Sequence, residues 1–233
     1  MLDHGPLSDA CADGKILPLY ILEPNLWRQP DVSYRHFLHL QHYLSQLDDM
    51  FIERGAKLVI KVGEALPVLK SLATRHNVKA IFSHYETWNK FSKDRDSVIR
   101  KWTDENSIDW KEYQQNGVVR NLNSRDGWST LWHSHMRKKI YEVPAKILCV
   151  SEDSDNLPSC QDMSLEFDGF EPNSNLCKIE PGIVLKSFLT ERGENYQKEM
   201  SGPLLSADSC SRLSTHIAFG TISIRTIFQR TQE

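Results

Sequence analysis

The side chains with the clearest chemical potential lie together near residue 210. Asp208, Ser209 and Ser211, with Cys210 between them, supply several groups that cap helices, and a helical pattern follows directly. A helix start combines free backbone N–H groups with adjacent hydroxyls, which makes it a ready site for a phosphate group. Arg225, further along, can add positive charge or pair with a carboxylate. Without other features, this run predicts only a well-capped helix.

Two other groups of side chains invite a ligand, but their spacing favours solvent contact or packing. His36, His39 and His42 recur at steps of three, which spreads the imidazoles around a helix instead of converging them on one metal ion. Trp128 and Trp132 lie four residues apart and share a helix face, where they could stack on a planar ligand or base. Helix packing is the commoner role of such a pair. The sequence therefore predicts no metal site.

Several common signatures are missing from the sequence. No G-x-G-x-x-G follows a predicted strand, and the patterns G-x-x-x-x-G-K-[ST], H-E-x-x-H and G-x-S-x-G do not occur. The chain has 11 glycines in 233 residues, which is few for a fold that grips phosphates through glycine-rich loops. A nucleotide-like ligand would have to be bound by other means.

The composition is typical of a globular intracellular protein. Hydrophobic residues make up 39% and charged residues 25% of the chain, and a formal net charge of −3 gives no overall attraction to nucleic acid. No apolar stretch approaches the ~20 residues of a membrane helix, and the first residues do not resemble a signal peptide. The five cysteines form no Cys-x-x-Cys pair, which favours reduced thiols. We therefore expect a cytoplasmic protein without membrane association.

The first half of the chain alternates between two hydrophobic periods. Continuous apolar runs predict strands of a parallel sheet at residues 16–22, 58–62 and 80–82, with a weaker strand nearer an edge at 108–110. Apolar residues at steps of three and four predict the helices between them, with the following residues on their faces: Phe37, Leu40, Leu44, Leu47 and Phe51; Leu66, Leu69, Ala73 and His76; Val98, Ile99 and Trp102. This alternation predicts a doubly wound parallel α/β sheet.

The same patterns divide the chain into domains. Residues 1–140 form the predicted α/β domain, residues 141–181 a long interdomain linker rich in Ser, Asp, Asn and Pro, and residues 182–233 the beginning of a helical domain. The chain opens in a loop and helix start at Leu2, so we expect the first strand of the sheet to be missing through truncation or a misassigned start codon. Ser33 is predicted to cap the first long helix, and Gly55 and Asn77 to end helices.

The segment from Tyr196 to Arg225 resembles the flavin-site sequence of the DNA photolyase/cryptochrome family. That family has a tyrosine, then S-x-L-S, then G-x-x-S-x-R; here they are Tyr196, Ser211-Arg212-Leu213-Ser214 and Gly220-Thr221-Ile222-Ser223-Ile224-Arg225. The resemblance implies that Tyr196, Ser211, Leu213 and Ser214 contact the pyrophosphate end of FAD. Arg225 is a supporting residue.

Other parts of the chain are similar to the same family. Asp3-His4-Gly5-Pro6-Leu7 resembles the D-H-x-P-L that follows the family's first strand, and Ser124-Arg125-Asp126-Gly127-Trp128 resembles the end of its α/β antenna domain in one bacterial-type branch. Arg192-Gly193, with Phe188-Leu189, resembles the entry to the flavin domain. The departures are Cys210 in place of a threonine, which removes a hydroxyl donor, and Thr215 and Ile224 in place of prolines.

The resemblance implies a Rossmann-like antenna domain, a linker and the start of an all-α FAD-binding domain. It also implies a possible antenna pigment, a pterin or deazaflavin, for which the segment from Tyr85-Glu86-Thr87-Trp88-Asn89 to Arg95-Asp96 is a candidate. Trp88 in that segment could stack on the pigment, although a surface or core role is equally compatible with the sequence. In such proteins, light-excited reduced flavin transfers an electron to a pyrimidine dimer in damaged DNA.

The residues around the isoalloxazine ring, the substrate groove and the electron-transfer tryptophans are expected beyond Glu233. We therefore assign no catalytic residue and expect this fragment alone not to repair DNA. Two alternatives stay open: a cryptochrome-type blue-light photoreceptor without repair activity, and a nonfunctional nucleotide-binding gene fragment.

Overall fold

The computed structural model describes residues 1–167, 169 and 179–233. The chain divides into two compact units. The first consists mainly of Asp3–Arg120 and Tyr141–Phe170, and the second of Asn121–Ile140 and Glu171–Glu233. The domain boundaries after residues 140 and 181 stay predictions.

Helices and strands alternate along the first unit. They are α1 (Gly5–Asp13), β1 (Leu19–Leu22), α2 (Tyr34–Ile52), β2 (Val59–Val62), α3 (Ala65–His76), β3 (Ala80–His84), α4 (Lys90–Glu105) and β4 (Asp109–Tyr113). The predicted mixed α/β fold with parallel strands is therefore confirmed.

The strands form two parallel pairs that are not hydrogen-bonded to each other. β1 pairs with β2 from Leu19 opposite Val59 onwards, and β3 pairs with β4 from Ala80 opposite Asp109 onwards. Both pairs run parallel, in agreement with the predicted parallel α/β sheet.

One apolar cluster joins both strand pairs to the helices. Ala65, Ile99, Trp102 and Ile108 are buried together, and Ile21 of β1 and Ile81 of β3 pack against them. Burying an aliphatic or aromatic side chain of this size contributes roughly 1.5–3 kcal/mol relative to leaving it exposed. The cluster therefore holds α3, α4 and the two strand pairs in one unit.

Local sequence features place the helix ends. Asn77 has a φ of 51° and Gly55 a φ of 82°, both in the left-handed region, where a helix cannot continue. These two predicted stops are confirmed. Asn89, which the sequence analysis did not single out, caps α4 by accepting a hydrogen bond from the backbone N–H of Ser92 at 3.0 Å. Ser33 is the residue before α2, but its side chain makes no capping hydrogen bond.

Two details of the predicted elements are wrong for local reasons. The strand predicted at residues 16–22 is regular only from Leu19, with an isolated bridge between Ile16 and Cys149, because Pro18 has no N–H group to donate to the ladder. Val98 was predicted to share the buried face of its helix. It is 54% exposed, while Ile99 and Trp102 are buried.

Residues 154 and 155 cover the outer edge of β2. The backbone N–H of Ile60 donates to Ser154 Oγ at 3.0 Å, and the N–H of Asp155 donates to the Ile60 carbonyl at 2.8 Å. The N–H of Val62 donates to Asp155 Oδ2 at 2.9 Å. These bonds satisfy backbone groups that would otherwise form an open strand edge.

A buried carboxylate fastens this segment to α3 and β2. The Glu152 side chain is 2% exposed, lies 2.6 Å from His76 Nε2 and 3.0 Å from Lys61 Nζ, and also pairs with Arg75. The hydrogen bonds from His76 and Lys61 lower the pKa of Glu152 to about 2. The ionised form therefore stabilises the fold.

Within the described ranges, no helix has the length and apolar character needed to span a membrane. The cysteines in those ranges, Cys11, Cys149, Cys160 and Cys210, are free thiols.

We predict that Glu152→Gln lowers the free energy of unfolding at pH 7 by about 1–3 kcal/mol, because it leaves buried donors without their charged acceptor. The pKa of Glu152 is lowered from 4.5 to about 2 on folding, so its contribution is present above pH 4.5 and is lost as the pH falls towards 2. Urea denaturation across this window should show the wild type and the variant converging at low pH.

Glu105→Gln is the matched control, because Glu105 makes only an exposed ion pair with Lys101 at 3.8 Å. Equal losses for the two variants, or a difference between wild type and Glu152→Gln that persists at pH 2, would contradict a stabilising role for ionised Glu152.

Candidate functional site

The second unit contains the sequence that suggested a phosphate site. Its elements are α5 (Trp128–Met136), α6 (Pro181–Thr190), a 3₁₀ turn (Arg192–Asn195), α7 (Tyr196–Glu199), α8 (Ser206–Ser209), α9 (Ser214–Ala218) and α10 (Ile224–Arg230).

The guanidinium group of Arg192 links α6 to the backbone at residues 210–211. Its Nε donates to Ser187 Oγ at 2.9 Å, and its Nη2 donates to the carbonyls of Val184 at 3.0 Å and Ser211 at 3.2 Å. Its Nη1 donates to the Cys210 carbonyl. One side chain thereby holds the middle of α6 and the start of the S-R-L-S sequence together.

Gly193 lets the chain turn closely past α6. A Cβ atom on Gly193 would lie 2.6 Å from the carbonyl oxygen of Phe188, a distance that no real side chain tolerates. The turn leads directly into Tyr196, whose ring packs edge-on against the Phe188 ring at 5.7 Å between centroids. Arg192-Gly193 therefore sets the position of Tyr196, the first of the predicted flavin contacts.

The four residues of the S-R-L-S sequence point in different directions because of one left-handed residue. Arg212 has a φ of 58°, between the extended Cys210 and the start of α9. Leu213 is 2% exposed and anchors the turn in the interior of the unit. Ser211 is half-buried and Ser214, the first residue of α9, is exposed. Leu213 therefore has a packing role, and the two serines are the accessible members.

The hydroxyls of Ser211 and Ser214 make no hydrogen bond to any residue in the part of the chain that the structure describes. The positive charges near them are Arg192 and Arg212. Burial, and then the nearby Arg212, lower the pKa of Arg192. Accessible hydroxyls beside two guanidinium groups suit an anionic ligand such as a phosphate.

The capping role predicted for Asp208, Ser209 and Ser211 is wrong. Asp208 and Ser209 lie inside the short helix α8, where Ser209 Oγ donates to the Leu205 carbonyl at 3.2 Å. The left-handed Arg212 then separates α8 from α9, whose preceding residue Leu213 has no capping side chain. The sequence run therefore ends one helix instead of starting the next.

The second half of the motif is held by its own side chains. His216, 2% exposed, bonds through Nδ1 to Thr221 Oγ1 at 2.8 Å, and burial lowers its pKa. Ser223 Oγ accepts from the Thr226 N–H at 3.0 Å and caps α10. Arg225 in α10 is 5% exposed and lies in the interior of the unit. His216 was not among the predicted site residues, and a histidine five residues before a threonine is only a weak sequence indication of such a bond.

The tryptophans of α5 pack against α10. The Trp132 ring meets Phe228 edge-on at 5.1 Å and lies 6.3 Å from the Trp128 ring. Gln229 Nε2 donates to the carbonyls of Met136 and Lys138, each at 2.9 Å. Helix packing is therefore the role of Trp132, as predicted, while Trp128 is 42% exposed.

The three histidines of α2 do not come together. His36 is exposed, and the rings of His39 and His42 lie against Tyr43. Among the residues described, no group of three or more His, Cys, Asp or Glu side chains is arranged to hold a metal ion.

The candidate antenna segment lies after β3, at the carboxyl ends of the strands of the first unit. Arg120 stacks over the Tyr85 ring at 4.3 Å, and also binds Glu112 at 2.9 Å and the Glu86 carbonyl at 2.8 Å. Desolvation raises the pKa of Glu86. Tyr85 is thereby already engaged with an arginine of its own unit.

The rest of this segment is a mixture of ion pairs and one exposed ring. Arg95 pairs with Glu23 at 2.7 Å and with Asp96 at 2.8 Å. Trp88 is 52% exposed. Trp88 is therefore the member of the segment whose ring is open to a planar ligand, and its role as a pigment contact stays a prediction.

Comparison with known proteins identifies the sequence family of the first half. The family model for DNA photolyase matches residues 1–127, just over half of the chain. No curated protein matches the chain in sequence.

The fold of the whole chain is similar to three solved structures. A cryptochrome from Synechocystis sp. PCC6803 has a TM-score of 0.76 at 19% identity, covering 99% of this chain and 52% of its own. A bacterial class III photolyase from Agrobacterium tumefaciens has a TM-score of 0.71 at 15% identity, with 98% and 50% covered. An archaeal photolyase from Sulfolobus tokodaii, solved with two FAD molecules, has 0.69 at 23% identity, with 99% and 52% covered. This chain spans about half the length of each.

We predict that Gly193→Ala lowers the free energy of unfolding by about 1–3 kcal/mol, because the new methyl group must displace the Phe188 carbonyl. Gly202→Ala is the control, since a Cβ there would find its nearest neighbour at 3.5 Å, an ordinary contact. That variant should change stability by less than about 1 kcal/mol. Urea denaturation of both variants tests this, and equal effects at the two glycines would rule out the close approach at residue 193.

Proposed function

Because the chain belongs to the DNA photolyase family, we propose that it binds FAD through Tyr196, Ser211, Leu213 and Ser214. We propose further that the whole protein is a light-driven DNA-repair flavoenzyme of the deoxyribodipyrimidine photolyase type. The observation that carries the proposal is the turn at residues 210–214. Arg192 donates hydrogen bonds to two carbonyls of this turn, and two serine hydroxyls of the turn stay accessible.

The chemistry of this turn fits a pyrophosphate group. A pyrophosphate offers several anionic acceptor oxygens, and Ser211 and Ser214 offer hydroxyl donors that are not used within the described residues. Arg212 on this turn, and Arg192, which bonds its backbone carbonyls, supply positive charge near them. Leu213 contributes by packing, because its burial holds the serines on either side of it in place.

The backbone groups of Cys210 are both used in hydrogen bonds within the protein, so they do not bind the ligand. Its carbonyl accepts from Arg192, and its N–H donates to the Ser206 carbonyl at 3.0 Å. Since the family usually has threonine at this position, the missing hydroxyl reduces the number of donors by one. Such a neutral hydrogen bond contributes ~0.5–1.5 kcal/mol, which weakens binding without abolishing it.

The proposed activity belongs to the whole protein, because the chain spans about half of each solved structure that it matches. One of those structures is described as an archaeal photolyase with two FAD molecules. A bound, reduced flavin supplies the light-excited electron for splitting a pyrimidine dimer. The residues of this chain bind and orient the pyrophosphate end. A pterin or deazaflavin at the segment around Trp88 is the proposed antenna pigment.

A blue-light photoreceptor is the second candidate. The Synechocystis neighbour is a cryptochrome and has the highest TM-score of the three structures compared here. The two functions differ in the partner, which is damaged DNA for the repair enzyme and a protein for the photoreceptor.

We predict that the chain binds FAD more tightly than riboflavin, because only FAD carries the pyrophosphate. Ser211→Ala and Ser214→Ala should each weaken FAD binding about two- to tenfold, the loss of one hydrogen bond, and leave riboflavin binding unchanged. Isothermal titration with both flavins measures this, with Ser201→Ala, an exposed serine, as the control. Equal affinities for FAD and riboflavin would exclude a pyrophosphate site at this turn.

We also predict light-dependent loss of pyrimidine dimers from DNA when the whole protein carries reduced flavin. Dimers are counted before and after illumination, with a dark sample as the control. If dimers persist in the presence of bound and reducible flavin, the repair proposal fails and the photoreceptor is favoured.

A further inference from the structure

We infer that Arg192 is a positioning residue for the flavin pyrophosphate and the main source of positive charge near it that no ion pair within the described residues neutralises. This rests on the proposed function of the 211–214 turn. The tyrosine and serines come from the family pattern, whereas the role of Arg192 follows from its contacts.

The hydrogen bonds of Arg192 restrain the backbone at the entry to the turn. The acceptors of Arg192 are three backbone carbonyls and the Ser187 hydroxyl. Two of those carbonyls, of Cys210 and Ser211, belong to consecutive residues at the entry to the turn. Because a guanidinium group donates in a fixed planar fork, it restrains the direction of both peptide groups at once.

The guanidinium group of Arg192 has no ion-pair partner among the residues that the structure describes. No carboxylate lies within ion-pair distance of Arg192 in the described part of the chain. By contrast, Arg212 pairs with Asp208 at 3.5 Å, and Arg230 with Glu233 at 3.2 Å. A guanidinium group stays protonated at neutral pH in proteins. Arg192 therefore carries a positive charge whose hydrogen-bond acceptors are all neutral, and the adjacent Glu191 acts on it only as a more distant charge.

The guanidinium groups of Arg192 and Arg212 repel each other when no ligand is bound. Two guanidinium groups, Arg192 and Arg212, lie close enough for the second to lower the pKa of the first, after the effect of burial. Like charges at this separation repel each other, and an anion bound at the turn relieves that repulsion. The accessible hydroxyls of Ser211 and Ser214 lie on this same turn. A doubly charged pyrophosphate satisfies the charge and the hydroxyls together.

Two variants separate the two contributions of Arg192. Arg192→Gln removes the charge and most of the fork, whereas Arg192→Lys keeps the charge but cannot hold two carbonyls in one plane. Arg230→Gln is the control, because Arg230 lies in the same unit, is 63% exposed, and pairs with Glu233 at the end of the same unit. All three are made in the full 233-residue chain.

The first measurement needs no ligand. Trypsin cleaves after Arg212, and it reaches that bond only when the turn opens. We expect cleavage between Arg212 and Leu213 to be about tenfold faster in both Arg192 variants, the effect of losing hydrogen bonds made by a charged group. Arg230→Gln should leave the cleavage rate unchanged.

The second measurement is FAD affinity at low and at high ionic strength. We expect Arg192→Gln to weaken FAD binding about tenfold at low salt and to flatten its salt dependence. Arg192→Lys should recover that salt dependence while the turn stays open to trypsin. A residue with a merely structural role would not give this split between the two variants.

The outcomes distinguish this inference from the proposed function. If cleavage after Arg212 is unchanged in both variants, Arg192 does not position the turn. If Arg192→Gln keeps the full salt dependence of FAD binding, its charge does not serve the pyrophosphate. If the wild-type chain binds no FAD at all, the proposed function and the charge role both fail, while the trypsin measurement still decides the positioning role.

Discussion

The hydrogen bonds of Arg192 tie α6 to the carbonyls of Cys210 and Ser211, which lie 18 and 19 residues after Arg192 in the sequence. The close passage at Gly193 and the edge-on packing of Phe188 on Tyr196 belong to the same arrangement. One arginine side chain therefore contacts both the helix that precedes Tyr196 and the turn that carries Ser211, Leu213 and Ser214.

The first unit uses charge in the opposite way. There Lys61, Arg75 and the imidazole of His76 surround a buried carboxylate, Glu152. Lys61 and Arg75 each have a carboxylate within ion-pair distance, and these contacts fasten α3 and β2 to the segment that covers the edge of β2. Arg192, by contrast, makes no ion pair within the described residues, and we propose that its charge serves a ligand, whereas the Glu152 cluster fastens parts of the fold together.

Periodicity predicted the elements of the α/β unit well, because strand and helix patterns depend on residues close in sequence. Asn77 and Gly55 stop helices as predicted, since a left-handed φ is a local property of these residue types. Val98 was placed on the wrong face because a window of three apolar residues does not fix a helix face to within one position.

The site was predictable in composition but not in geometry. The S-R-L-S resemblance located the turn. The expected cap at Asp208 and Ser209 is wrong, because Arg212 adopts a left-handed conformation that the local sequence does not predict. The role of Arg192 was out of reach for a different reason. Apart from the Ser187 hydroxyl, the partners of Arg192 are backbone carbonyls. Every residue has a carbonyl, so the sequence does not indicate which ones Arg192 binds.

The most direct test of the central claim is to map where FAD binds by amide NMR shifts of the isotope-labelled chain. We expect the largest shifts on adding FAD at Tyr196 and at residues 210–215, with much smaller shifts at those positions on adding riboflavin. Shifts confined to the segment around Trp88, or no shifts near residue 210, would contradict a pyrophosphate site at the turn that Arg192 holds.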